Sequence, residues 1–520
     1  MPLQIAQAIA AALPLGILPF MLFVPLVGAV LVLLLGSKSA RPITLLIAIV
    51  EMVLSLVLAL AIDPSAQITS AYTGIYYWQF TIAQMPYAQD SALLQILLGV
   101  DGLSVVMIVL SNLVVLAAAI CSHHIKESKS MYYSFFLMLQ AGLLGVFMSI
   151  DLFSFFIFWE LVLIPMFFII GRWGEEGSQH AAVKFVIYTH LGSAVMVISF
   201  FALFFFAPTH TFEMAKLREM GLSPDVQIGF ALAVFVGAGV KLPVFPLHNW
   251  LPWAHVKAPT PGSVILAGIL LKMGGYTFIR LGLWMDPEGF ARLSIPLAIL
   301  AIFTCIYAAF TAMAQTDMKS MVAYTSINHM SWVLLGVAVG AAAYAGNAAE
   351  KAFGALAVQG AVFMMFSHGT IISVMFIMAG QLKYSTGTRQ IPDIKGLLEK
   401  APRMSIIFII ASLAAFGLPG FSGFIAEALI LFGSVAINPL TGFIGFGIFL
   451  TVGYLLWTLN RIVFSDADPE KEVHEASWSD LLAPILMMIP IILLGFWPDL
   501  VLGLTQPVIN TILGITGGVP

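Results

Sequence analysis

Gly239–Trp250, "GVKLPVFPLHNW", carries a lysine, two prolines and a histidine inside a run apolar enough to be read as membrane. How this stretch is resolved decides the fold. An apolar run of about 20 residues matches a hydrocarbon core of roughly 30 Å. Such runs recur from Ile17 to Leu504 with only short polar interruptions, giving about fourteen candidate helices by length alone. The composition agrees: of 520 residues, 60% are hydrophobic and 9% charged, and the mean hydropathy is +1.01. Soluble domains carry about a quarter charged residues. The chain therefore reads as an all-α polytopic membrane protein with a net charge of only -4, its expected surroundings membrane lipid and no nucleic acid. The first run follows an uncharged N-terminus without a basic n-region or small-residue cleavage site, so it reads as a helix and not as a signal peptide.

Pro243 and Pro246 lack amide protons and clash with the preceding turn, which frees carbonyls near Gly239–Leu242. In lipid those groups must be satisfied by neighbouring protein or by water. "GLPGF", Gly417–Phe421, echoes "KLPVF", Lys241–Phe245, and brings Gly417, Pro419, Gly420 and Gly423 into another apolar run. Transporters built from internal repeats carry interrupted helices at corresponding positions of their two halves. An ionisable residue accompanies each break, Lys241 and Glu427, which favours a hydrated functional break over a packing kink.

Eight ionisable residues fall within apolar runs: Glu160, Lys184, Lys241, His248, Lys272, His329, His368 and Glu427. Each costs a few kcal/mol at mid-membrane, so such groups face the bundle interior and mark ion or proton routes. Singly they also admit plainer readings. Lys184 lies about a turn from a helix start and can snorkel to the interface. His329 and His368 can be hydrogen-bonded core histidines, and Glu160 with a lysine can be a structural ion pair. Lys241 and Lys272 are mid-span. A lysine removed from water holds its proton less firmly and a carboxylate beside it restores the hold, so moving Glu160 relative to Lys241 would act as a switch. Hydroxyls such as Tyr188, Tyr324, Ser326 and Ser367 extend a line suited to protons. Sodium sites prefer convergent carboxylates or carbonyls.

Cys121 and Cys305 show no pairing signal, and no motif for a flavin, nucleotide or iron-sulfur cluster is present. No cofactor and no metal is expected in this chain. His248 and His255 are seven apart across proline-broken backbone, a poor metal spacing, and His123 and His124 read as a solvated face of a basic loop. The longest polar connections are Thr209 to Asp225, Gln381 to Arg403 and Ser465 to Asp480; none is long enough for a core of its own.

Numbered from the N-terminus, the odd loops hold fourteen of the 22 Lys and Arg: Lys38, Arg41, Lys126, Lys129, Arg172, Lys257, Lys319, Lys383 to Arg403, Arg461 and Lys471. The even loops hold Lys216, Arg218, Arg280, Arg292 and Lys351. The positive-inside rule puts the odd loops in the cytoplasm, or the equivalent matrix or stroma, and both termini on the other side.

"GVDGLS" (Gly99–Ser104), "WELVLIP" (Trp159–Pro165), "KLPVFPLHNWLPWAH" (Lys241–His255), "APTPGSVILAGILLKMGGY" (Ala258–Tyr276), "DMKSMVAYTSINHMS" (Asp317–Ser331), "SHGTI" (Ser367–Ile371) and "LPGFSGFIAE" (Leu418–Glu427) come in this order across most of the chain. With these stretches the chain resembles the antiporter-like membrane subunits of respiratory NADH:quinone oxidoreductase, complex I, in particular the M branch, the counterpart of mitochondrial chain 4. The resemblance implies fourteen helices with two inverted five-helix repeats, each holding a broken helix. The implied division is 1–125 for three N-terminal helices, 126–285 and 286–465 for the repeats, and 466–520 for the last helix. It implies proton transfer by Glu160 paired with Lys241, by Lys272 as central lysine, by His329 and His368, and by Glu427, with Lys184 and His248 as further candidates. Glutamate at 427 is what the M branch has where several relatives have lysine. The implied partners are neighbouring antiporter-like subunits and a peripheral redox arm that carries FMN, iron-sulfur clusters and quinone. The implied location is a bacterial inner membrane. Lys257 and Pro261 depart from what relatives often carry, and the lateral helix of the distal subunit is not seen. An Mrp-type Na+/H+ antiporter subunit, or the equivalent subunit of a ferredoxin-, hydrogenase- or formate-linked pump, shares the fold and many of the motifs.

Overall fold

The computed structural model of the chain describes residues 6–8, 10, 13, 16–64, 68, 76–84 and 93–515. Thirteen helices among them are long and apolar enough to cross a membrane. They are α1 (Ile17–Leu35), α2 (Ser37–Ala61), α3 (Gly102–Cys121), α4 (Lys129–Met148), α5 (Leu152–Trp173), α6 (Ser178–Phe206), α7 (Pro224–Lys241), then after the short α8 (Trp250–Lys257), α9 (Thr260–Met285), α10 (Pro287–Met313), α11 (Met318–Ala343), α12 (Ala348–Thr386), and past the paired α13 (Pro402–Ala415) and α14 (Ser422–Ile437), α15 (Pro439–Ile462) and α16 (Trp478–Phe496). A last helix, α17 (Asp499–Ile512), runs back along the bundle.

Helix starts are marked in the sequence by short polar caps. The side chains of Asp101, Asp151, Asp286 and Asp317 each accept a backbone N–H from the first turn of α3, α5, α10 and α11. Asn347 and Ser477 form capping boxes on α12 and α16 with Glu350 and Asp480. These orphan amides have no intrahelical partner, so each cap stabilises its helix by about 1 kcal/mol.

α9 and α12 are buried along their whole apolar windows, and α3, α4 and α11 nearly so, whereas α2, α15 and α16 turn about two thirds of theirs outward. The long central helices thus form an inner layer with the others around it. Exposed leucine, phenylalanine and isoleucine on α1, α6 and α15 are what a lipid-facing or subunit-facing surface requires.

The only strands among the described residues are β1 (Tyr76–Gln84) and β2 (Leu93–Val100), an antiparallel pair with Tyr76 opposite Val100 and an irregularity between Thr81 and Ala83. The apolar windows of this stretch are too short to span, and the hairpin closes one end of the bundle. The Leu97 amide donates to Asp151 Oδ2 at 2.9 Å, and the Ile150 amide donates to the Leu97 carbonyl at 3.0 Å.

Next to the hairpin lies a correction to the loop reading. Arg280, expected in an even loop, is fully buried within α9. Its Nη2 donates to Asp101 Oδ1 at 2.7 Å and its Nε to the Tyr276 hydroxyl at 3.1 Å. The apolar run was taken to end too early; the carboxylate that permits burial comes from a residue far away in sequence. Removing one partner of a buried pair leaves a bare charge, so Asp101→Asn should destabilise by about 3–5 kcal/mol. Joint replacement, Asp101→Leu with Arg280→Met, should recover much of that loss, and the thermal midpoint of the detergent-extracted protein is the readout.

Candidate functional site

The first break is built as the prolines require. α7 ends at Lys241, and the Leu242 and Val244 amides still reach the carbonyls of Ala238 and Gly239 at 2.7 and 3.0 Å. The freed Val240 carbonyl accepts Trp250 Nε1 at 2.9 Å from the start of α8, and the Phe245 amide donates to Thr304 Oγ1 on α10 at 3.3 Å. Side chains, and not lipid, satisfy the broken backbone.

Lys241 is 1% exposed, and its Nζ has no hydrogen-bond partner among the described residues. It lies 5.1 Å from the centre of the Trp159 ring and 6.0 Å from that of Phe185, an aromatic seat that holds a cation while leaving its N–H groups free. Glu160 does not close on it as a hydrogen-bonded ion pair. Its Oε2 meets His190 Nδ1 at 3.0 Å and its Oε1 accepts the Ser193 hydroxyl, both on α6. His190 was invisible to the sequence reading because it lies on the half-exposed face of an otherwise lipid-like helix. Glu160 and His190 also line an open groove of about 400 Å³ with Leu163, Ile164, Phe167 and Val186.

Lys272 is fully buried on α9, in the middle of the bundle. A π-type segment, Leu266–Leu270, shifts the local bonding, and Lys272 Nζ donates to the Ala267 carbonyl at 2.6 Å. The same Nζ shares a 2.6 Å hydrogen bond with His368 Nδ1 on α12. Two glycines make this approach possible. A Cβ at Gly369 would lie 2.9 Å from the Gly268 carbonyl oxygen, and one at Gly268 would meet Ser373 Oγ at 2.9 Å. On the far side of α9, a Cβ at Gly274 would meet the Leu242 amide at 2.6 Å, so α9 also packs directly against the first break.

His368 and His329 stand with ring centres 5.4 Å apart. His329 lies near the backbone of Ala415, the last residue of α13 and the edge of the second break. There Gly417 and Gly420 take positive φ values of 74° and 99°, a conformation that costs a residue with a Cβ. The Glu427 carboxylate packs against Gly417 where a Cβ would stand, and Glu427 is 6% exposed. Ser367 and Ser422 share a 2.7 Å hydrogen bond between α12 and α14. Lys272, His368 and His329 therefore form one cluster, and Glu427 sits against Gly417 at the second break.

The two weaker candidates stand apart. Lys184 is half-buried, with Nζ 4.7 Å from the Trp253 ring centre and 6.0 Å from that of Tyr188. His248 is boxed by Phe245, Tyr307 and Tyr324 at 5.3 to 6.5 Å.

Three more buried groups lie outside the eight candidates of the sequence. His255 is fully buried with neither ring nitrogen partnered among the described residues, stacked 4.4 Å from Phe376, with Lys319 and Lys272 as its charged neighbours. Lys319, taken for a loop residue, is 1% exposed and donates to the Ala258 carbonyl at 2.7 Å. Its place two residues past the Asp317 cap, inside the first turn of α11, was the available signal. Glu51, in "IAIVEMVLSL" (Ile47–Leu56), is fully buried on α2 with both carboxylate oxygens unpartnered among the described residues. Scanning every run for carboxylates, and not only the later ones, finds it.

Beyond Lys319, at the odd-loop end, Glu175 joins Lys383 Nζ at 2.9 Å and Arg389 Nη1 at 2.5 Å, and Arg389 Nε reaches Asp317 Oδ2 at 3.2 Å. Burial opposes ionisation of Glu175, but Lys383, Lys319 and Arg389 outweigh it and hold its carboxyl below the usual 4.5.

The family model described as "NADH:quinone oxidoreductase/Mrp antiporter, TM" matches residues 149–452. The chain is 34% identical over 518 residues to NADH-quinone oxidoreductase subunit M of Rhodobacter capsulatus, covering 95% of each chain. With the subunit M of Escherichia coli K12 it shares 35% over 519 residues, covering 95% of this chain and 97% of the relative. Respiratory complex I from Thermus thermophilus with bound NADH contains a chain of the same fold, with TM-score 0.82, 26% identity, and 96% and 99% of the two chains covered. A chain of the Mrp complex from Dietzia sp. superposes equally well, TM-score 0.82, covering 95% of this chain and 97% of that one, but at 18% identity this shows the shared fold alone.

The depressed Glu175 carboxyl stabilises the folded state at neutral pH and loses that contribution as pH falls through its folded pKa, below 4.5. Glu175→Gln should lower the thermal midpoint at pH 7, and the difference from wild type should shrink as pH is taken below about 4.5.

Proposed function

The chain belongs to the membrane-subunit family shared by NADH:quinone oxidoreductase and Mrp antiporters, and we propose that it serves as the proton-translocating subunit M of an NADH-quinone oxidoreductase. The observation that carries the mechanism is the 2.6 Å hydrogen bond between Lys272 and His368 at a glycine-lined helix crossing, between two broken helices. A proton held there has a basic nitrogen on each side, and a route toward either break. Neither partner has to be moved through lipid to exchange it.

In the proposed cycle, protons arrive from the odd-loop side, past the Glu175, Lys383 and Arg389 cluster, to Lys319 and His255. His255 hands them to the Lys272 and His368 pair. Release runs through His329 and the second break to Glu427. Lys241 acts as the gate on the other side of α9. Its charge is set by Glu160, and Glu160 has two settings: engaged with His190 and Ser193, as seen, or turned toward Lys241. When the carboxylate turns to Lys241 it stabilises the ammonium form; when it returns to α6, Lys241 yields its proton toward Lys272. Because Glu160 and His190 line an open groove at the outer face, a neighbouring membrane subunit seated there can bias the choice. The order and direction of the steps are part of the proposal.

The same reading places the odd loops in the cytoplasm of a bacterium, the chain in the inner membrane, and both termini on the far side. It takes 126–285 and 286–465 as the two repeats, each with its broken helix. Redox chemistry belongs to partner subunits with FMN, iron-sulfur clusters and quinone, while this chain supplies only proton-carrying side chains. Identities of 34–35% to relatives named subunit M, across almost their full length, favour this reading over an Mrp-type antiporter or a ferredoxin- or hydrogenase-linked pump.

In the purified assembly reconstituted in vesicles, Lys241→Ala should cut proton translocation by at least about tenfold, since a positioned proton-transfer group contributes roughly 10²–10⁴-fold. His190→Ala should leave Lys241 in place but shift the Glu160 setting, so translocation should fall less and its pH profile should move. Full translocation by a normally assembled Lys241→Ala complex would remove the gate.

A further inference from the structure

Away from the proton line, the end of α3 meets the start of α16 at a cluster that the sequence reading took for a solvated face. His123 Nε2 lies 2.7 Å and His124 Nε2 3.1 Å from the same carboxylate oxygen, Asp480 Oδ1. The three ligand atoms all fall within 4.8 Å of one another, although Asp480 stands 357 residues from His123.

The hydrogen-bond bookkeeping is what makes the cluster unusual. His123 Nδ1 sits 3.1 Å from the Ile120 carbonyl. A carbonyl can only accept, so Nδ1 carries the proton. In the neutral ring, Nε2 then presents its lone pair to a carboxylate oxygen that also only accepts. His124 aims a second Nε2 at that same oxygen. Two imidazole nitrogens and one carboxylate oxygen turned inward on a common point require a positive charge between them. It is supplied either by protonating the rings or by a cation.

The surroundings match a metal centre. Metal-ligating histidines typically donate their other N–H to a backbone carbonyl, as His123 does to Ile120. Asp480 is held by its second oxygen, which accepts the Ser477 hydroxyl at 2.5 Å and the Ser477 amide at 3.1 Å. The His124 ring is stacked 4.2 Å from Tyr384 on α12. Side-chain exposures of 21%, 32% and 14% for His123, His124 and Asp480 leave water access and a fourth position. The other charged group facing the cluster is Lys126, which opposes a cation. Ligands of a tetrahedral zinc at about 2.0–2.1 Å stand roughly 3.3–3.5 Å apart, so the contacts of 2.7 and 3.1 Å need to open by roughly 0.2–0.8 Å.

We propose that His123, His124 and Asp480 bind a divalent transition-metal ion of the zinc type, which pins the end of α3 to the start of α16 at the odd-loop surface. Two imidazoles and a carboxylate select such an ion over magnesium or calcium, which prefer all-oxygen ligands. The site lies outside the proton line and stands or falls independently of it.

The test uses the whole purified assembly, equilibrated with micromolar free Zn2+ and separated from unbound ion. Metal analysis should find one zinc more per chain in wild type than in His123→Gln or His124→Gln, and zinc should raise the thermal midpoint of wild type only. The histidine variants are preferred to Asp480→Asn, which would also weaken the α16 cap. Zinc K-edge absorption of the wild-type assembly needs no variant and should show two imidazole rings in the first shell. Equal zinc content in wild type and both variants, or a shell without imidazole, would overturn the site and leave a protonated histidine–carboxylate contact.

Discussion

Hydrocarbon offers no hydrogen-bond partner, and the rest of this structure follows from that constraint. A proline can be placed in a spanning helix only if something else takes up the carbonyls that it frees. Here Trp250 does so at the first break and Thr304 accepts the Phe245 amide, leaving the Lys241 amine without a hydrogen-bond partner among the described residues, beside an aromatic seat. The break brings a cation to mid-membrane and keeps its N–H groups uncommitted.

The second requirement is closeness. Lys272 and His368 belong to different helices, and normal interaxial distances of 8–10 Å leave no certainty that two side chains meet. Gly268 and Gly369 remove the side chains from the crossing, and the π-type segment turns the Ala267 carbonyl toward the Lys272 amine. Packing and proton chemistry therefore rest on the same few positions. The Asp101 and Arg280 pair holds the hairpin end of α9 and the Lys319 cluster lies at the opposite end of the site, so the line between them is fixed at both ends.

Much of this was legible in the sequence, because the cost of burying charge in lipid makes a Lys, Glu or His inside an apolar run conspicuous, Glu51 and His190 being the exceptions. The spans, the two breaks, and the places of Lys241, Lys272, His329, His368 and Glu427 follow from hydropathy and proline alone. Contacts between helices do not. That Glu160 binds His190 and Ser193, and that Asp480 meets His123 and His124, depends on how distant segments pack, which no local period encodes. Arg280 and Lys319 were misplaced for a related reason: each sits near the end of an apolar run, where loop and helix look alike until the capping aspartate is matched to its turn. The hairpin lay in a stretch whose strand pattern is short beside the helical runs on either side.

Centrally, protons are held to pass through the Lys272 and His368 pair. Proton translocation by the reconstituted assembly, compared between wild type and Lys272→Met with NADH oxidation followed in parallel, bears on that directly. Methionine preserves the volume and the crossing but cannot hold a proton. Translocation should fall to near background in an assembly that still contains every subunit. Translocation at the wild-type rate and wild-type proton-to-electron ratio would show that the protons take another route.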